Sequence, residues 1–165
     1  MPVVYAPERP EHAAPIEGVL ARAFGPGRFA KTSERVRERG ARFEPQLSRV
    51  ALDGEKLIGL CRIYTVAAGG VTLLFLGPLA VDPDAQHGGV GAALVRACVD
   101  AGRAAGANGV ICVGRAVFFE AIGFSRVPEG RLTLPSPVDP NRFMWIALRP
   151  GGLDAAGGAV VAPKL

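Results

Sequence analysis

Residues 73–95 read LLFLGPLAVDPDAQHGGVGAALV. The apolar run from Leu73 to Leu76, resumed at Leu79 to Val81, has the length and composition of a strand, and Asp82-Pro83-Asp84 ends it. Gln86-His87-Gly88-Gly89-Val90-Gly91 then leads into a helical pattern that begins near Gly89. Strand, glycine loop and helix in this order form a phosphate-binding arrangement. The first turn of a helix offers free backbone N–H groups and a positive dipole end, and glycines let an anion approach that backbone closely. Each such charge-assisted hydrogen bond contributes about 1.5–3 kcal/mol, so no lysine or arginine is needed inside the loop. A P-loop would end in Gly-Lys-Ser/Thr, where this chain has Gly91-Ala92-Ala93. A dinucleotide fingerprint would place a third glycine or alanine where Leu94 stands and an acid near the apolar segment Gly109 to Val113, which has none.

What the loop does match is Gln86-x-x-Gly89-x-Gly91 directly after Leu79-Ala80-Val81-Asp82-Pro83. This resembles the acetyl-CoA loop of the GNAT superfamily of N-acetyltransferases, whose pattern is Arg or Gln, two residues, Gly, one residue, then Gly or Ala. A second motif follows in order: Phe118-Phe119-Glu120-Ala121-Ile122-Gly123-Phe124 is similar to that superfamily's late aromatic helix ending in Gly-Phe. The resemblance implies an α/β (α+β) fold with a mixed, mainly antiparallel sheet of about six to seven strands flanked by about four helices. It also implies a single acyl-CoA N-acyltransferase-like domain over residues 1–165, with 150–165 as a C-terminal tail.

Composition sets the outer bounds. The chain has 165 residues, 49% of them hydrophobic, which suits one domain with one sizeable core and excludes a disordered chain. A net charge of +4 fits attraction of an anionic ligand, whereas the scattered basic residues and few aromatics argue against nucleic acid. Cys61, Cys98 and Cys112 each sit in an apolar segment without CxxC spacing, as reduced cytoplasmic thiols do. Glu8, Pro7 and Pro10 break any leader-like run, and no apolar stretch approaches the ~20 residues of a membrane span. With His12 and His87 as the only histidines, no metal site is expected.

Along the chain, Pro2 to Ala6 reads as a first strand and Pro10-Glu11 as a helix start. Ile16, Leu20, Ala23 and Phe24 recur at helical spacing up to Gly25-Pro26-Gly27. A polar helix is expected over Thr32 to Arg39, with Thr32 or Ser33 as cap and Gly40 as stop. Leu47 to Leu52 and Leu57 to Val66 pair across Asp53-Gly54, and Gly69-Gly70 turns the chain into Val71 to Val81. In the helix after the glycine loop, Val90, Leu94, Cys98, Ala101 and Ala105 form an apolar stripe opposite Arg96, Asp100 and Arg103. Gly109 to Val113 is a short apolar strand of the parallel, buried kind, reached by a right-handed crossover. Val117 to Ile122 is a short helix. Phe124 to Val127 and Leu132 to Leu134 look like pieces of one strand and Phe143 to Leu148 like the last. The glycine- and alanine-rich tail from Pro150 either packs or frays.

The resemblance assigns acetyl-CoA as co-substrate and no metal. It places the cofactor against Leu79, Ala80, Val81, Gln86, His87, Gly88, Gly89, Val90, Gly91, Ala92 and Phe119. It also implies that Val71 to Val81 splays from Gly109 to Val113 to admit the pantetheine arm, and that Gly25 to Lys31 lines the acceptor site. Gly77-Pro78 is consistent with a local distortion there. Two departures stand out. The superfamily's usual thiol-protonating tyrosine falls on Phe119, and Leu73 to Leu76 offers no glutamate as base. Tyr64, Asp82, Asp84 and Glu120 are the remaining proton acceptors, of which Tyr64 and Glu120 are kept as catalytic candidates. Each also has a structural reading: packing for Tyr64, a solvent face for Glu120, capping for the aspartates. Cys112 has no histidine near it in sequence and reads as core. The implied partners are acetyl-CoA and a small amine or peptide acceptor, with no nucleic acid or membrane and with a homodimer left open. Three activities compete: acetyl transfer to a primary amine by direct attack in a ternary complex, non-catalytic acyl-CoA sensing on the same fold, and binding of some other diphosphate nucleotide.

Overall fold

The computed structural model describes residues 2–85 and 87–164, apart from the side chains of residues 29 and 30. Strand β1 (Val4–Pro7) leads through a short 3₁₀ turn into helix α1 (Ala13–Phe24), and helix α2 (Thr32–Glu38) follows a second 3₁₀ stretch. Next come β2 (Arg42–Phe43), β3 (Arg49–Asp53), β4 (Lys56–Ala68) and β5 (Val71–Val81). Helix α3 (Val90–Ala104) connects β5 to β6 (Gly109–Val113), which is followed by α4 (Ala116–Glu120). The remainder holds β7 (Ser125–Arg126), β8 (Leu132–Thr133), β9 (Phe143–Ala147) and β10 (Gly158–Ala159).

The main sheet runs β1-β3-β4-β5-β6-β9-β7, with β2 added at the far end of β4. Every pairing in it is antiparallel except β5 with β6. This is the expected mixed, mainly antiparallel sheet with four α-helices. The two parallel strands read as unbroken apolar runs because both of their faces are buried. Leu74, Leu76, Val110 and Cys112 point to the cluster under α3 and α4, while Leu73, Phe75 and Ile111 point to the opposite side, under α2 and the C-terminal residues. Helix α1 covers that opposite side further along, through Ile16, Val19 and Leu20 against Leu60 and Ala80. At Gly69 and Gly70, φ values of 61° and 80° make the two-residue hairpin turn between β4 and β5.

Several boundaries differ from the sequence reading. The cap position of α2 is Lys31, without a side-chain hydrogen bond, and Ser33 lies buried inside the helix rather than capping it. β3 starts at Arg49 rather than Leu47 because Ser48 closes a turn: its Oγ donates to the Glu44 carbonyl and accepts from the Ile63 N–H. On α3 the buried stripe ends on Val99 and Gly102 rather than Ala101 and Ala105. A Cβ at Gly102 would lie 2.9 Å from the Leu74 side chain and 3.0 Å from the Leu148 side chain, so the last turn packs closely on the sheet. β7 and β8 are not one strand: β7 pairs with β9, and β8 pairs in parallel with β10 in a separate small sheet.

That small sheet belongs to a docked tail. Leu153, Ala156 and Val160 are buried, and Val161 exchanges two backbone hydrogen bonds with Ala67 at 2.8 and 2.9 Å. Arg131 lies over the Trp145 ring and donates to the carbonyls of Leu153, Asp154 and Ala156. Arg131→Met should therefore lower the unfolding free energy by about 1.5–3 kcal/mol, and limited proteolysis should then cut between residues 150 and 164. Unchanged stability and an uncut tail would contradict this anchoring.

Candidate active site

β5 keeps β4 as its neighbour from Val71 to Val81 but pairs with β6 only at Leu74, Phe75 and Leu76. Just beyond, Gly77 and Pro78 stand opposite the single residue Arg62, a bulge, and the Gly77–Pro78 peptide is cis. The two strands part there, and a cleft of about 560 Å³ occupies the opening. Leu79, Val81, Gly91, Phe118 and Phe119 line it, and so do Phe24, Lys31, Thr32, Ser33, Arg115 and Arg142. Beyond Leu76 the edge of β5 that faces the cleft has no strand partner among the described residues.

The glycine loop meets this cleft at the start of α3. Gly89 is the cap residue with φ 76°, a left-handed conformation that suits glycine, and no side chain caps the helix. The first intrahelical bond runs from the Ala93 N–H to the Gly89 carbonyl, so the amides of Val90, Gly91 and Ala92 lack an intrahelical partner. Nothing lies within 4 Å of a Cβ built at Gly88 or Gly89, leaving open space for an anion. Gly91 faces Phe118 and Val81 across the cleft, Val90 is buried beneath it, and Ala92 is half-buried. His87 projects away and meets the Asp53 carboxylate at 3.0 Å, tying the loop to the β3–β4 hairpin. Ala80 points to the other side of the sheet, against Leu60. Gln86 lies outside the described residues.

An ion pair fixes where the loop begins. Arg22 of α1 donates Nε and Nη2 to Asp82 Oδ2 at 3.2 and 2.8 Å, and the Asp84 N–H donates to Asp82 Oδ1 at 3.0 Å. Gly18 leaves room for the guanidinium, since a Cβ there would lie 3.1 Å from Arg22 Nη1. The Arg22 hydrogen bond, then the Asp84 amide, hold the Asp82 carboxyl below its ordinary pKa. Asp82 is thus a structural carboxylate.

The other sequence candidates are placed as follows. Tyr64 is buried on β4 beside Phe43 and outside the cleft lining, and burial pushes its hydroxyl pKa up. Glu120 is exposed on α4 and also outside the lining. Cys112 is fully buried, which raises its thiol pKa far above the usual range, and it does not line the cleft. Phe119 does line it, held edge-on by Phe118 and Phe124 at 5.0 and 5.1 Å and lying over Gly114, where any Cβ would collide with the ring. Among the described residues no Asp, Glu, His, Tyr or Cys lines the cleft, and no cluster of metal-ligating side chains occurs. Of the expected acceptor segment Gly25 to Lys31, Lys31 is the one member of the wall among the residues whose side chains are described. Sequence reading missed Thr32, Ser33, Arg115 and Arg142. Arg115 was findable, because residues just past the carboxyl end of a parallel strand line ligand crevices.

The chain belongs to the GNAT acetyltransferase family, whose model, described as Acetyltransferase (GNAT) family, matches residues 16–125. Among solved structures it is similar to the GNAT family N-acetyltransferase YhbS of Escherichia coli in complex with CoA, at 25% identity and TM-score 0.81. That match covers 98% of this chain and 89% of the other. It is also similar to a GNAT family acetyltransferase from Brucella melitensis in complex with acetyl-CoA, at 26% identity and TM-score 0.67 over 90% of each chain. The ribosomal-protein-S18-alanine N-acetyltransferase of Escherichia coli shares the fold at 18% identity and TM-score 0.63, over 89% of this chain and 94% of the other. No curated protein sequence matches the chain.

Because its folded pKa is depressed, Asp82 stabilises the protein fully above the ordinary carboxyl value near pH 4 and loses that contribution as pH falls through the folded value. Asp82→Asn should cost about 1–3 kcal/mol at pH 7, read from urea midpoints, and the gap to wild type should shrink toward pH 3. A gap independent of pH would contradict the ion pair's role.

Proposed function

We propose that the chain transfers the acetyl group of acetyl-CoA to a primary amine of a small molecule or peptide, by direct attack with both substrates bound. The observation that carries this reading is the unpartnered edge of β5 beside the uncapped start of α3. A diphosphate fits the open space at Gly88 and Gly89, within reach of the Val90, Gly91 and Ala92 amides. An amide-bearing arm fits the edge of β5 from Leu79 to Val81, where backbone groups face the cleft without a strand to bond. Phe118 and Phe119 give that channel an apolar side. The acting unit is residues 1–165 as one acyl-CoA N-acyltransferase-like domain, and a cytoplasmic setting suits three buried free thiols.

Acetyl-CoA supplies a thioester whose leaving thiolate, at pKa about 8.5, departs near neutral pH without an acid. Phe119 therefore slows the reaction without forbidding it. The amine must arrive or become neutral, and no carboxylate or histidine among the described cleft residues takes its proton. The amine therefore reacts from the fraction that is already neutral in solution. Positioning along β5 supplies most of the acceleration, and the absent base costs about 10²–10⁴-fold in rate.

Thiol release across a panel of amines, with the acetylated product identified by mass, tests the proposal. The logarithm of kcat/KM should rise by about one per pH unit up to the pKa of the acceptor amine, with no inflection from an enzyme base. A bell-shaped profile with an inflection between about pH 6 and 8 would overturn direct attack without a base. Phe119 favours a second reading, a non-catalytic acyl-CoA sensor: saturable acetyl-CoA binding with no amine-dependent thiol release would establish it.

A further inference from the structure

The wall of the cleft carries three positive charges and, among the described residues, no negative one. Lys31, Arg115 and Arg142 form no ion pair with any described carboxylate. Two contacts fix the ends of the cleft. Gly91 at the start of α3 faces Val81, and Ser33 at the start of α2 faces Gly77, where a Cβ would lie 3.4 Å from it. Across the bulge, Gly77 to Val81 runs alongside Arg62 to Gly59 of β4, three steps or roughly 10 Å at about 3.3 Å per residue. Lys31, the cap residue of α2, and Arg142 beside it thus stand apart from the start of α3.

Lys31 is the most confined of the three. Its Nζ lies 4.0 Å from the centre of the Phe24 ring, which holds the ammonium at the cleft wall. Burial, and then the nearby positive charge of Arg142, lower its pKa. Arg142 immediately precedes β9, and its carbonyl accepts the Gly114 N–H at 2.9 Å, which seats it beside the end of β6 and next to Arg115. A half-buried lysine and an exposed arginine that share one cleft wall, with no carboxylate among the described lining residues, offer an anion two charge-assisted partners.

We infer that the acceptor is an amine that also carries an acid group, a carboxylate or a phosphate, held by Lys31 and Arg142 at the α2 end of the cleft. This inference rests on the acyl-transfer reading above and names its substrate class. The acid group anchors the molecule while its amine reaches the thioester beside Leu79, so charge on the acceptor sets KM and the amine itself sets kcat.

Matched acceptors test it on the wild-type enzyme: 4-aminobutyrate against its amide, and phosphoethanolamine against ethanolamine, each compared per neutral amine. The acid member of at least one pair should have a kcat/KM at least tenfold higher, and which pair responds separates carboxylate from phosphate. Lys31→Gln and Arg142→Gln should raise the acceptor KM about tenfold or more while leaving the acetyl-CoA KM unchanged. Independent of turnover, calorimetric titration of glutarate and of inorganic phosphate into CoA-loaded protein should give saturable binding of one of them, lost in Arg142→Gln. Equal kcat/KM within both pairs, or no saturable binding of either anion, would overturn the inference. So would variants that raise the acetyl-CoA KM instead, or that lower kcat with the acceptor KM unchanged. Acetylation of the uncharged amines at full rate would still leave the acetyltransferase reading standing.

Discussion

The site depends on a strand that loses one of its two neighbours partway along. β5 is hydrogen-bonded to β4 throughout, but its parallel partner β6 follows it only through Leu76. Up to that point both strands are buried on both faces, and the pairing is secured by Leu74, Leu76, Val110 and Cys112 beneath α3. Past it, the bulge at Gly77 and Pro78 lets β5 go on with β4 alone. An unpartnered strand edge inside a protein is costly unless water or a ligand satisfies it. Here it faces a cleft wide enough for either.

Around that opening, stability and binding are divided between different residues. Asp82 and Arg22 hold the end of β5 and the start of the glycine loop by an ion pair whose arginine is half exposed. At Gly88 and Gly89 the space beside the backbone is open and no side chain caps α3, so the amides at the start of the helix stay free. Gly114 and Phe119 show the reverse arrangement: the ring lies on the glycine so closely that no other residue fits there, which makes this wall rigid and apolar. The same ring occupies the place where the resembled family often has a phenol, so the cleft is better built to position reactants than to shuttle protons.

The parts of this design that were legible in the sequence are local ones. An apolar run of strand length, a glycine cluster and a helical stripe identify β5, the loop and α3, and the solid apolar character of Gly109 to Val113 marks β6 as its parallel neighbour. What sequence could not give depends on distant contacts. β8 reads as a continuation of β7, yet it pairs with β10 because Arg131 captures carbonyls about 25 residues further on. Tyr64 and Glu120 carry the right functional groups but sit on a buried face and a solvent face, since strand register and helix phase decide direction and not residue type. Arg142 enters the cleft only because β9 is antiparallel to β6, which brings its first residue to the end of β6.

The central claim is that the opening between β5 and β6 is an acetyl-CoA site. It is tested most directly by thermal melts of the purified protein with acetyl-CoA, ATP and NADH in separate samples. Acetyl-CoA at 100 times its dissociation constant should add about 2.7 kcal/mol to stability, seen as a clear rise in Tm, while ATP and NADH should leave Tm unchanged. No shift with acetyl-CoA, or an equal shift with ATP or NADH, would contradict the account.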